Sequence, residues 1–238
     1  VFDYFQTPED PATVHENRRL HEFILSKVPS SVESVLDIGC GNGWVAQHFA
    51  KRGKPIVSFD ISLDNIQRVL KDNPSPTHYG VKGDVLALPF QRESFDLIIS
   101  SEVIEHVPDT ASYLSNITNA LKKGGRAIIS TPYNEKLQYS LCIHCNRSTP
   151  LHAHIHSFRE DSIDHVVKAI PGVSVRAFTM SNKGLLFLRT HKFLKYLPFS
   201  IWGAIDKLAN RLINKPARLI YVLDKDLKSA SMSSQKRT

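Results

Sequence analysis

Cysteine is scarce in this chain: Cys40, Cys142 and Cys145 are the three among 238 residues. An odd, small number does not make a disulfide framework, and a chain of this length can instead bury one full hydrophobic core. No apolar run approaches the ~20 residues that a membrane-spanning helix needs. The N-terminus shows no signal-peptide pattern and starts at Val1 rather than Met, so the expectation is a trimmed chain working in a reducing cytoplasm. Internal repeats are absent, and so are long runs of Lys or Arg. The net charge of +7 therefore reads first as a solvated basic surface, which admits nucleic acid or an anionic membrane as partner without demanding either.

What is present is an alternation of helices and strands. Helical spacing of Leu20, Phe23, Ile24 and Val28 predicts a helix over 13–28, ended by Pro29. Strands are predicted at 34–38, 55–60, 77–82, 95–100 and 126–131. Between them fall helices at 43–52, from the N-cap Ser62 to Asp72, and from Asp109 to Lys122-Lys123-Gly124-Gly125, where lysines before glycines read as helix-stop chemistry. A loop at 132–158 holds two cysteines and four histidines; a helix at 159–169, a strand at 173–180, an aromatic and basic insertion at 181–216 and a strand at 217–225 complete the pattern. Such alternation predicts a parallel sheet covered on both faces within one domain, residues 1–228. Residues 1–30 form an N-terminal cap and helix, in which Phe2, Tyr4 and Phe5 pack on the core or close over a site. The polar tail 229–238 is expected to be disordered.

The chemistry gathers where strands end. Val35-Leu36-Asp37-Ile38-Gly39-Cys40-Gly41-Asn42-Gly43 reads as a buried strand running into a glycine turn and a helix start, a unit that lets a ligand approach the backbone closely. NAD-binding folds use a similar turn. Asp37 separates the two cases, because a carboxylate there repels a pyrophosphate and welcomes a cation. Asp60, Asp84 and the stretch Ser100–His106 fall at neighbouring strand ends, outside which ligands of such sheets bind.

In order and content these residues resemble the motifs of Rossmann-like, class I S-adenosylmethionine-dependent methyltransferases. The glycine stretch is similar to the first motif, and Asp60 to the ribose-binding acid. Gly83-Asp84-Val85, Phe95-Asp96-Leu97-Ile98 and Leu121-Lys122-Lys123-Gly124-Gly125 follow in sequence. The resemblance spans roughly 15–180 and implies an α/β, doubly wound, mostly parallel seven-stranded sheet with a late antiparallel strand. It also implies S-adenosylmethionine as cofactor. The binding set would be Asp37, Gly39, Cys40, Gly41 and Gly43, with Asp60 and Ile61 at the ribose, Asp84 and Val85 at the adenine, and Ser101 near the methionine part. Capping of local turns is the bland reading of Asp60 and Asp84.

The acceptor side is written in Glu102-Val103-Ile104-Glu105-His106, where i, i+3 and i+4 share one face of a helical turn. The pattern resembles that of ubiquinone-biosynthesis O-methyltransferases and of small-RNA 2′-O-methyltransferases, which implies a divalent metal, magnesium or zinc, that grips the acceptor oxygen. His106 as a general base without metal is the competing reading. A loop histidine could complete a set with Glu102, Glu105 and His106. Alternatively Cys142, Cys145, His154 and His156 have workable spacing for a separate zinc site.

The function expected is O-methylation of a small-molecule hydroxyl by single displacement. RNA 2′-O-methylation, a cofactor-binding module without turnover, and NAD binding remain alternatives, with nucleic acid the less expected partner. In related enzymes, insertions like 181–216 cover the acceptor pocket, which suggests a lid. The apolar residues of 185–202 either pack inward or rest on a membrane interface with their lysines toward the head groups.

Overall fold

The computed structural model describes residues 9–227, so the expectations for Phe2, Tyr4 and Phe5 and for the tail 229–238 lie outside the described residues. Helix α1 (Pro11–Ser26) is capped by the Asp10 carboxylate, which accepts from the N–H groups of Ala12 and Thr13. Strand β1 (Val35–Ile38) leads into α2 (Trp44–Ala50), and β2 (Ile56–Asp60) into α3 (Leu63–Asp72), with Ser62 at the expected N-cap. Strands β3 (His78–Lys82) and β4 (Phe95–Ser101) precede α4 (Thr110–Ala120). Then come β5 (Leu121–Pro132), a small hairpin of β6 (Tyr139–Leu141) and β7 (Ser148–Pro150), and α5 (Asp164–Lys168). The chain continues through β8 (Val173–Asn182), α6 (Lys183–Phe187), α7 (His191–Leu194), α8 (Phe199–Leu212) and β9 (Pro216–Lys225).

Seven strands form one sheet in the order β3-β2-β1-β4-β5-β9-β8. The pairs among β3, β2, β1, β4 and β5 are parallel, while β9 runs antiparallel to both β5 and β8. The chain moves outward from β1 to β3 and returns to β4, so the strand order reverses between β1 and β4, the position at which open α/β sheets bind ligands. Strand alternation divides the core into two layers. Leu36, Ile38 and Ile98 pack with Tyr113, Leu114 and Ile117 of α4. Val35, Leu97 and Ile99 pack with Leu20 and Ile24 of α1 and with Val45 and Phe49 of α2.

Three expectations are corrected. Helix α4 stops at Ala120, and Lys122-Lys123-Gly124-Gly125 is the extended, turning entry to β5. The reason is a tertiary one: the Lys122 ammonium reaches the Asp96 carboxylate at 3.1 Å, and Gly124 takes φ +77°. A Cβ at Gly125 would sit 2.9 Å from the Lys122 carbonyl oxygen. The helix expected over 159–169 is confined to α5, Asp164–Lys168. The loop 132–158 carries the β6–β7 hairpin, anchored by a parallel bridge between Tyr133 and Phe158.

Candidate active site

A cavity of about 760 Å³ opens at the carboxyl ends of β1, β2 and β4, with α1 as a further wall. Its floor is the glycine turn. Gly39 donates its N–H to the Phe59 carbonyl at 2.8 Å, and Gly43 to the Cys40 carbonyl at 2.7 Å. Gly39 holds φ +73°, and a Cβ there would lie 2.4 Å from a methyl of Val103. Both constraints require glycine; residues 39–42 line the cavity, whereas Gly43 lies outside the lining, packed against Val69 and Asn73.

Asp60 ends β2 beside this turn. One carboxylate oxygen accepts from the Ser62 N–H at 2.8 Å; the other accepts from the Gly41 N–H and from the Asn65 amide, each at 3.3 Å. The cap expected as its bland reading is therefore present, and the same carboxylate lines the cavity. Asp84 is a turn cap as well: it accepts the Leu86 N–H at 2.9 Å and stands exposed; neither it, the half-buried Val85 nor Ile61 lines the cavity. Ile61 is 72% exposed, a large apolar side chain left open next to the Asp60 strand end.

Asp37 is fully enclosed, and its Oδ2 has no hydrogen-bond partner. Burial, with Asp60 nearby, pushes its carboxyl up to about 8. The Asp37 carboxyl lies beneath the glycine turn and does not itself line the cavity.

The second wall follows β4. Glu102 sits at φ +57°, a left-handed conformation that a non-glycine residue adopts at a cost of order 1–3 kcal/mol. A short 3-10 turn, Ile104–His106, follows. The Glu102 carboxylate is engaged by the Arg218 guanidinium from β9 and by the Ser130 hydroxyl at 3.1 Å; Ser130 also bonds the Ser101 hydroxyl at 2.8 Å. Arg218 in turn holds Glu16 of α1 at 2.8 Å. This Glu16–Arg218–Glu102 bridge across the cavity had no motif to announce it. Its only sequence signal is an arginine directly before the apolar run 219–223.

Glu105 is buried, with one oxygen accepting from the Thr131 hydroxyl at 3.1 Å and the other without a partner. Burial first, and Glu102 second, push its carboxyl up to about 8. The 151–156 stretch folds over this turn: Ile155 and His156 donate their N–H groups to the Glu105 carbonyl at 2.9 and 3.3 Å. His106 Nδ1 bonds the Ala153 carbonyl at 3.1 Å, and His154 Nδ1 bonds the Glu135 carboxylate at 2.5 Å. A carbonyl is only an acceptor, so His106 carries its proton on Nδ1 and leaves Nε2 as a lone pair. Partial desolvation lowers the pKa of the His106 imidazole from its usual value.

Glu105, His106 and His154 each offer a ligand atom within 4.8 Å of the other two. Of the four expected members, Glu105, His106 and a loop histidine, His154, lie together, while Glu102 is engaged by Arg218 instead. The separate zinc set is not assembled. His154 is drawn to Glu135 and the 3-10 turn, the His156 ring lies 6.0 Å from the Phe158 ring, and Cys145 stands exposed on the β6–β7 hairpin beside Cys142. Among the described residues no metal-competent group includes either cysteine. The lid expectation also changes. From 181–216 only Lys183 lines this cavity; α1 forms the wall instead, with Asn17, Leu20 and His21, the last stacked on Trp44 at 4.0 Å.

Comparison with known proteins gives a consistent result. The profile of the "Methyltransferase domain" family matches residues 12–170. A ubiquinone biosynthesis O-methyltransferase of Xylella fastidiosa is 31% identical over 127 residues, covering 52% of this chain and 51% of that protein. One of Rickettsia felis is 32% identical over 134 residues, covering 51% and 52%. The chain spans about half the length of these curated relatives. An S-adenosylmethionine-dependent methyltransferase from Mesorhizobium loti shares the fold with a TM-score of 0.62 at 16% identity, over 89% of this chain and all of that one. The phosphoethanolamine N-methyltransferase 2 of Haemonchus contortus does so with a TM-score of 0.61 at 18% identity, over 88% and 52%.

Proposed function

The chain belongs to the class I S-adenosylmethionine-dependent methyltransferase family, and we propose that it transfers the cofactor's methyl group to a hydroxyl oxygen of a small molecule. The observation that carries the acceptor chemistry is His106: its Nδ1 is tied to the Ala153 carbonyl, and the residue lines the same cavity as the glycine turn. When bound, the cofactor supplies an electrophilic methyl on a sulfonium, so the protein needs to add only orientation and one proton acceptor.

In this reading Asp60, which lines the cavity, accepts from a ribose hydroxyl through Oδ1, which also accepts the Ser62 N–H. His106 Nε2 takes the proton of the acceptor hydroxyl as the oxygen becomes a nucleophile. Arg218 ties Glu102 at the end of β4 to Glu16 of α1 and so holds the acceptor side in register. Alignment of two reactants in one cavity can lower a barrier by about 7–11 kcal/mol.

A second reading is favoured by the Glu105–His106–His154 group. Both imidazoles have Nδ1 held by an acceptor, the outer-sphere arrangement that orients Nε2 toward a metal, and Glu105 has an orphaned oxygen. Two imidazoles and one carboxylate suit zinc or a similar transition ion better than magnesium. These residues would hold the ion, which would lower the pKa of an acceptor hydroxyl.

The test is transfer of label from methyl-labelled S-adenosylmethionine to a hydroxyl-bearing small-molecule extract and, separately, to RNA. Label in the extract, lost on alkylation of its hydroxyls, supports the proposal. Label confined to RNA overturns the acceptor class, and cofactor binding with no label in either identifies a module without turnover.

A further inference from the structure

Helix α8 carries two apolar faces, and only one is packed. Trp202 and Asp206 point inward and are buried, with the Trp202 ring against Phe199 and beneath the Arg19 guanidinium. Ile201, Ile205, Leu208 and Leu212 recur at i, i+4, i+7 and i+11, so they form a second stripe. Three of its four members face solvent, Ile201 50% exposed, Leu208 58% and Leu212 75%, and Ile205 is half-buried between them. The preceding short helices add Phe187, Leu188, Phe193 and Tyr196, all exposed. Apolar surface concentrated this way on one segment marks an interaction site.

The charge on the segment is sorted. From 183 to 215 the one acidic residue is Asp206, which is buried and accepts the N–H groups of Ser181 and Asn182. Every exposed charge there is a Lys or Arg, among them Lys192, Lys195, Lys207 and Arg211. Lys207 and Arg211 lie on one flank of the α8 stripe, where long stems can run along apolar surface with the heads turned aside. The segment is also fixed in place. Arg19 of α1 donates to the Leu194 and Leu197 carbonyls at 2.7 and 2.8 Å, and Arg18 donates to the Lys195 carbonyl at 3.1 Å.

We propose that the outer face of residues 183–215 docks on an anionic lipid surface, with the α8 stripe and the neighbouring aromatics in the acyl boundary and the lysines and arginines among the head groups. An apolar face bordered only by cations is the composition of an interfacial helix. A second copy of this chain is a poor occupant, since a two-fold contact would set one cationic border against another. The inference stands on this surface alone and does not depend on the methyl acceptor. Lys183, at the start of α6, both lines the cavity and opens this segment, so docking would bring the cavity close to the bilayer.

The test is flotation of the purified chain with phosphatidylcholine vesicles and with vesicles containing phosphatidylglycerol, at low and high salt. We expect at least tenfold stronger partition onto the anionic vesicles, reduced by salt. The double variant Leu208→Asn/Leu212→Asn should lose tenfold or more, and Lys207→Gln/Arg211→Gln should lose the preference for anionic lipid. All four side chains are exposed, and unchanged thermal melting of both variants confirms that the fold is kept. No flotation with anionic vesicles at low salt overturns the proposal. So does flotation that the asparagine variant leaves intact, and so does a dimer, seen by light scattering, that this variant dissociates while no vesicle binding occurs.

Discussion

The Arg218 guanidinium, entering from β9, closes on the carboxylate of Glu102 at the end of β4 and ties it through Glu16 to α1. Glu102 therefore serves as the anchor of a cross-cavity bridge rather than as a free ligand. Replacing Arg218 with Gln leaves a carboxylate that burial already pushes upward without its main countercharge. The expected loss is on the order of 3 kcal/mol, the lower end for breaking a buried pair, given the partial exposure of both partners. Chemical denaturation measures it. The double variant Glu102→Gln/Arg218→Gln should recover part of that loss, and strict additivity would show that the pair is not coupled.

Gly39 and Gly53 provide an internal control. Both hold positive φ, +73° and +66°, but a Cβ at Gly39 meets Val103 at 2.4 Å whereas nothing lies within 4 Å at Gly53. Alanine at either should cost about 1–2 kcal/mol for the left-handed conformation. Only Gly39→Ala should also lose S-adenosylhomocysteine binding, by tenfold or more in calorimetry, because the turn must shift.

Asp37 gives a pH dependence with a definite sign. Its carboxyl is raised from the usual carboxylate range to about 8 in the folded protein. Between those two values the folded state holds a proton that the unfolded state has released, so stability falls as pH rises from about 4 to about 8. Glu105, raised to about 8 as well, adds to the same slope. Asp37→Asn should flatten the decline in melting temperature of the cofactor-free protein over that window. An identical slope in the variant would show that Asp37 is ionised in the fold.

The Glu105–His106–His154 group predicts metal binding that its outer partner controls. Zinc or manganese binding, followed by competition with a chromophoric chelator, should weaken about 10–100-fold in Glu135→Gln, since Glu135 fixes the His154 ring. Cofactor binding should stay unchanged. Equal affinity in the variant, or activity indifferent to a strong chelator, would leave His106 as a base acting alone.

Much of the fold was legible because strand and helix periodicities are local. The buried run Val35–Ile38, the Ser62 cap and the Phe95–Ser101 strand each appear where pattern and capping chemistry place them. The glycine turn and its neighbouring acid were legible for the same reason, since Gly39 and Asp60 sit next to the elements that bring them to the cavity. The Lys122-Lys123-Gly124-Gly125 error has the opposite cause: helix-stop chemistry was present, but Asp96, distant in sequence, recruits Lys122 into an extended entry. The acceptor side depends on such distant partners throughout. Arg218 reaches Glu102 from more than a hundred residues away, and Glu135 selects His154 out of a crowded histidine run. Spacing among Cys142, Cys145, His154 and His156 satisfied a zinc template, yet the 151–156 backbone bonds to Glu105 and carries His154 elsewhere.

The most direct measurement is calorimetric titration of the native chain and of Asp60→Asn with S-adenosylhomocysteine and with NAD. The account predicts saturable one-to-one binding of S-adenosylhomocysteine, weakened roughly tenfold or more in Asp60→Asn by loss of an acceptor for the ribose hydroxyls, and no NAD binding. Tight NAD binding without S-adenosylhomocysteine binding would contradict it.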